Sequence, residues 1–170
     1  TVDDNYYGVV LVVRYQDPSS MDISQYLTVL ETENKPIVGK LAGMIGFPSE
    51  TKKAEDGDDP IETAIRLAEE EVGILVCRSD LQLLDNPLKG LPHDFLIRVV
   101  VMTASHQFSG ISLCPTERDA CFNGWRTEPE LRRLPCFGPG TRPETIPALE
   151  AVCRYWNDSD MDLSVSVLAK

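Results

Sequence analysis

The sequence predicts an α/β (α+β) domain built on a mixed β-sheet. Residues 6–15 (YYGVVLVVRY) and 95–104 (FLIRVVVMTA) are apolar, β-branched and aromatic, the composition of buried strands. Residues 60–72 (PIETAIRLAEEEV) repeat their apolar positions at helical spacing instead. Strands flank that helix on both sides in the chain, so sheet and helices must pack on one another. A length of 170 residues, 42% hydrophobic and 25% charged, suits one globular domain over 1–170 and excludes a disordered chain or a coiled-coil rod.

The elements follow in order. Strand 6–15 is broken by Asp17-Pro18-Ser19-Ser20, and 25–32 (QYLTVLET) alternates as a second strand. After the turn at Asn34-Lys35-Pro36, residues 37–47 read as extended, with Gly39, Gly43 and Gly46 marking bulges or close backbone approach. Residues 48–59 read as a polar loop. The helix 60–72 opens with a cap at Asp58 or Asp59 and Pro60 in its first turn, and ends at Gly73. At 100° per residue Ile61, Ala64, Ile65, Ala68 and Val72 form its core stripe, with Thr63, Arg66, Leu67, Glu70 and Glu71 away from it. Short strands are expected at 81–84 and 120–126, a long central one at 95–104, and helices at 128–134 and 147–156. The tail 157–170 reads as loose or, where Leu and Val alternate with Ser at 162–169, as an edge strand.

The net charge is −11, and −7 of it falls within residues 54–71, where eight acids face the lone Arg66. So acidic a chain repels a phosphate backbone, which argues against general nucleic-acid binding. Clustered carboxylates suit either a solvated helix face or a divalent cation. The longest uncharged apolar run, 6–13, is far below the ~20 residues of a membrane helix, and no basic-then-apolar opening suggests a secretory signal. Cys77, Cys114, Cys121, Cys136 and Cys153 are odd in number and lack CxxC spacing, and only His93 and His106 accompany them. A structural zinc site is therefore not expected; free, mostly buried thiols in a reducing cytoplasm are.

A P-loop, GxSxG, HExxH and a dinucleotide-binding glycine fingerprint are all absent from the sequence. Pro60 falls at the third ligand position of any EF-hand register for Asp56–Asp59. Residues 57–74 (GDDPIETAIRLAEEEVGI), however, resemble the Nudix box, G-x5-E-x7-R-E-U-x-E-E-x-G-U with U bulky and apolar. Arg66, Glu70, Glu71, Gly73 and Ile74 fall in register, Ala68 stands at a U position, and Asp58 lies where the family has its first glutamate. Phe47-Pro48 is similar to the apolar-Pro-Gly-Gly entry, and Trp125 followed by Glu130-Leu131 to a late loop and short helix.

The resemblance implies a Nudix-like α/β/α sandwich. It also implies Mg²⁺- (or Mn²⁺-) dependent hydrolysis of a pyrophosphate linkage in a nucleoside diphosphate linked to another group. Glu70 and Glu71 would then be metal ligands, with Arg66, one turn before Glu70, as their orienter, and Asp58 a weaker metal ligand. The catalytic base stays open between Glu117 and Glu50, and Lys52 and Lys53 are candidate phosphate contacts. The partner is a nucleotide-type small molecule, and a homodimer stays open. Leu67 stands in place of the acid that the family has after its arginine, near the Glu70/Glu71 edge by helical angle. Ser49-Glu50 replaces the Gly-Gly pair. These departures support an alternative: a catalytically impaired Nudix-like domain serving as a nucleotide-binding or protein-interaction module.

Overall fold

The computed structural model describes residues 6–20, 23–88, 91, 95–108 and 120–168, with side chains described as far as residue 157. Among them are seven strands: β1 (Gly8–Gln16), β2 (Ser24–Glu31), β3 (Ile45–Gly46), β4 (Ser49–Thr51), β5 (Gln82–Leu83), β6 (Ile97–Thr103) and β7 (Ala120–Thr127). The helices are α1 (Pro60–Leu67), α2 (Glu128–Arg133) and α3 (Thr145–Leu168). The strands form one mixed sheet with the order β3-β2-β1-β6-β5, to which β4 adds by pairing with β1 and β7 by pairing with β2. β1 and β6 run parallel, with Val10 opposite Val99 and Val12 opposite Val101. The start of β1 pairs with β4 and its end with β2, so the sheet divides along β1.

Alternation along the two inner strands builds a core on each face of the sheet. Val9, Leu11 and Val13 of β1, with Val100 and Met102 of β6, pack with Ile61, Ala64, Leu67, Ala68 and Val72. Val10, Val12, Val99 and Val101 face the other way, toward Leu131 of α2 and Ala148, Leu149, Val152 and Trp156 of α3. A sheet apolar on both faces must be covered on both, and helix, sheet and helix therefore form three layers.

Several local readings change. The segment 37–47 is not one extended run. Pro36–Val38 is a 3₁₀ turn, Gly39 and Gly43 take left-handed φ of 72° and 92°, and only Ile45–Gly46 pairs as a strand. Residues 48–59 contain β4 and the 3₁₀ turn Ala54–Asp56 as well as loop. In the tail, α3 runs on to Leu168 where an edge strand or loose end is predicted. Extending an existing helix orders one residue per hydrogen bond gained, which overrides a short alternating pattern. Cys77, Cys121 and Cys136 are exposed and Cys153 half-buried, so these thiols are free but not mostly buried; Cys114 lies outside the described residues.

The box helix is the correction that matters most for the site. Asp59 caps it, accepting from the Ile61 amide at 3.0 Å, with Pro60 in the first turn. After Leu67 it widens into a π turn, Ala68–Val72, whose end is closed by Gly73 and Ile74 both donating to the Ala68 carbonyl. Its buried positions are 60/61, 63/64, 67/68 and 71/72. The stripe is thus rotated toward Thr63 and Leu67, leaving Ile65 half-buried at its edge. The apolar pattern pointed elsewhere because Thr63 and Glu71, polar residues, occupy the buried face.

Candidate functional site

Arg66 organises the first part of the site. Its Nε and Nη2 donate to the two carboxylate oxygens of Asp56 at 2.9 Å, Nη1 donates to Glu70 at 2.9 Å, and Nη2 also reaches the Thr51 carbonyl of β4 at 2.8 Å. Burial alone would raise the Asp56 carboxyl. The Arg66 bonds, the Lys53 amide and the Thr63 hydroxyl outweigh it and hold the group below its ordinary value. Asp56 is therefore the arginine's second acidic partner beside Glu70. Asp58 adopts φ 53° and pairs with Lys52 at 3.0 Å, away from Arg66. Thr63 closes this knot by donating to Asp56 at 2.8 Å and sharing a hydrogen bond with the Tyr6 hydroxyl at 2.6 Å.

Arg142 organises the second part, which the sequence did not reveal. It is 1% exposed. Its Nε and Nη2 donate to Glu31 at 3.0 and 2.7 Å, and Nη1 donates to the Phe47 carbonyl at 2.8 Å, Ser49 Oγ at 3.3 Å and Glu71 Oε2 at 3.4 Å. Ser49 in turn donates to Glu144 at 2.6 Å and accepts from Lys40 at 2.7 Å, while Lys35 pairs with Glu31 at 2.9 Å. Glu31, Glu71 and Glu144 are buried, and Arg142, Lys35 and Lys40 match them one for one in charge. Burial alone would raise Glu144, but Lys40, Arg142 and Ser49 draw it below the ordinary value. The backbone prepares this network. Arg142 N donates to the Ile45 carbonyl at 3.0 Å, and Gly46 leaves room for the arginine stem. A Cβ at Gly46 would overlap Thr145 Oγ1 and lie 2.9 Å from Arg142 Cδ.

Beside both knots opens a cavity of about 600 Å³. Tyr7 and Phe95, stacked with ring centroids 3.9 Å apart and planes within 4°, stand among its lining residues. Lys35, Lys40, Glu50 and Glu144 supply its charged groups. Through β4 the cavity adjoins the strand that Arg66 grips.

The residues implied by the resemblance are distributed as follows. Glu70 is held by Arg66, with Lys53 at 3.7 Å, and keeps 19% of its side-chain surface. Glu71 is buried against Arg142. Leu67 is fully buried in the core, not at an exposed edge beside Glu70. Glu50 lines the cavity and Lys52 lies over the Tyr6 ring. Glu117 lies outside the described residues, as do His93 and Asp94. Among the described residues no group of three or more His, Cys, Asp or Glu side chains is placed to hold a metal ion. Arg66 holds Glu70 as an orienter would, but Glu71 is buried on Arg142, and among the described residues the acids present do not fit the divalent-cation site that the resemblance implies. No helix among the described residues is long and apolar enough to cross a membrane.

Comparison by sequence matches neither a family model nor a curated protein. Comparison by structure does find likenesses. The Nudix domain of Shewanella oneidensis NrtR, in complex with ADP ribose, superimposes with a TM-score of 0.63 at 11% identity, over 91% of this chain and 90% of that one. RenU, a Nudix hydrolase from M. smegmatis, gives 0.60 at 10% identity over 91% and 87%. A chain of the complex between the C-terminal domain of mouse MUTYH and human PCNA gives 0.55 at 21% identity over 91% and 88%. The three-layer architecture, with the box helix on one face of the mixed sheet, is that of Nudix domains.

Proposed function

We propose that this chain is a Nudix-fold module that binds a nucleotide-type ligand, a nucleoside diphosphate derivative, with its hydrolytic machinery impaired. The observation that carries this reading is the fate of two box positions: Glu71 is buried on Arg142, and Leu67 is in the core. The 600 Å³ cavity is of ligand size, and it combines aromatic surface at Tyr7 and Phe95 with the cations Lys35 and Lys40. That chemistry suits a base or ribose at one end and a diphosphate at the other. The ADP ribose bound by the NrtR domain makes ADP-ribose the first ligand to try. The competing reading, Mg²⁺-dependent hydrolysis of the pyrophosphate linkage, draws on the residual exposure of Glu70 and on Glu50 in the cavity wall.

Calorimetric titration with ADP-ribose and a panel of nucleoside diphosphate derivatives, with EDTA and with Mg²⁺ or Mn²⁺, separates the two. The proposal expects saturable binding that persists in EDTA and is weakened by Lys40→Ala, without monophosphate release. Turnover in Mg²⁺ or Mn²⁺ that Glu70→Gln abolishes would establish the hydrolase instead. No binding by any member of the panel would refute the nucleotide reading.

A further inference from the structure

We infer that Arg142 is a built-in cation standing where a divalent ion would otherwise be held against Glu71, so that this part of the fold balances its charge without metal. Three kinds of oxygen surround its Nη1: the Phe47 carbonyl, the Ser49 hydroxyl and the Glu71 carboxylate. They come from the β3–β4 connection, β4 and the box helix. Hard oxygens converging from separate elements are what a divalent cation takes as ligands. Here they lie 2.8–3.4 Å from a nitrogen, at hydrogen-bond range; metal–oxygen bonds are roughly 2.0–2.6 Å.

Burial makes a cation at this point obligatory. Glu31 and Glu71 have 0% and 3% of their side-chain surface exposed. Uncompensated carboxylates there would have to take up protons or unfold the region. Lys35 meets the Glu31 oxygen that Arg142 leaves, and the guanidinium reaches both Glu31 and Glu71. Burial by itself would ease loss of the Arg142 proton, but Glu71, Glu144 and Glu31 hold it in place, so the charge is permanent. The gap kept open at Gly46 admits the arginine stem and gives it a fixed path into the knot. The inference concerns the fold's own charge balance and holds whether or not a nucleotide binds in the cavity.

Mn²⁺ alone is the probe, read by the paramagnetic resonance of free Mn²⁺ and by thermal unfolding. Arg142→Met keeps much of the stem and removes the charge; Arg142→Met/Glu31→Gln removes one charge of each sign and guards against a variant too unbalanced to fold. Wild type and Glu71→Gln are expected to take up Mn²⁺ equally weakly, as any acidic surface does. At least one Met variant is expected to gain a single site binding Mn²⁺ about tenfold or more tightly than wild type, with a melting temperature that rises as Mn²⁺ is added. Adding Glu71→Gln to that variant should remove both effects. A wild-type site that Glu71→Gln weakens about tenfold would overturn the inference. So would Met variants that fold without gaining a Glu71-dependent site, or that stay unfolded at every Mn²⁺ concentration, since the knot would then accept only a guanidinium.

Discussion

Substituting Leu67 by Glu, the acid expected at that place in the box, discriminates sharply between two pictures of the site. Leu67 is 0% exposed in the core shared with Leu11, Leu27, Ala64 and Val100. A carboxyl placed there has its pKa pushed up to about 8–9, so at pH 7 it must take a proton on folding. From an unfolded value of about 4.3, that costs roughly 1.36 × 2.7, or ~3.7 kcal/mol. Exchanging leucine's terminal carbons for a polar group forfeits about 1 kcal/mol more of burial. The expected loss is therefore ~4–5 kcal/mol, close to the whole stability of a marginal domain at about 5–15 kcal/mol. The sign is diagnostic. The folded-state pKa is raised, so the deficit is smallest below the unfolded value and grows as pH rises through the folded one. Urea unfolding by circular dichroism should show the variant regaining roughly 2.7 kcal/mol relative to wild type between pH 7 and pH 5. A deficit under about 0.5 kcal/mol at pH 7, the range of surface changes, would place Leu67 on the open side of the helix. So would a gain of Mg²⁺-dependent pyrophosphate hydrolysis in this variant.

Three further outcomes follow from the geometry. Ile65→Ala, at the edge of the stripe, should cost about 1–2 kcal/mol in urea unfolding, well below the roughly 2–5 kcal/mol of Leu67→Ala; equal costs would mean that Ile65 is a core residue after all. Asp56 and Glu144 are both held below their ordinary values of 3.8 and 4.5, so the stability they contribute is present at pH 7 and is lost as pH falls below about 4.5 toward the depressed folded values. Asp56→Asn and Glu144→Gln should each flatten that acid limb, and an unchanged limb would remove these pairs as its cause. Gly46→Ala would push a methyl onto Thr145 and the Arg142 stem, and should cost about 1–3 kcal/mol by thermal unfolding; a neutral result would mean that the stem has slack.

Legibility in the sequence followed how local each signal is. The two inner strands, the capped box helix and the helix ahead of Trp156 were readable because their apolar spacing and end residues lie within one segment. The i, i+4 contact of Arg66 with Glu70 was readable for the same reason. Asp56 was not singled out, because register placed Asp58 at the first acidic position of the box. Only the 3₁₀ turn Ala54–Asp56 and the left-handed pair Gly57 and Asp58 bring Asp56 back toward the helix.

The Arg142 knot had no local signal because its members are 111, 95, 93 and 71 residues away from the arginine. Its side-chain members, read singly, are polar residues that hydropathy assigns to the surface, and Phe47 joins through its backbone carbonyl. Only the complete set is compatible with burial, because each charge is admitted to the interior by its partner. The same logic explains the rotated helix stripe. Thr63 and Glu71 turn inward because Tyr6, Asp56 and Arg142 receive them, and Ile65 is displaced to the edge. Arg142 therefore links two positions that look unrelated in the sequence. Serine in place of glycine at position 49 supplies a hydroxyl to the guanidinium and to Glu144, and Glu71, at a ligand position of the box, becomes the guanidinium's counter-ion. An acid at position 67 would face the apolar core formed with Leu11, Leu27, Ala64 and Val100, and leucine is what that buried helix face demands.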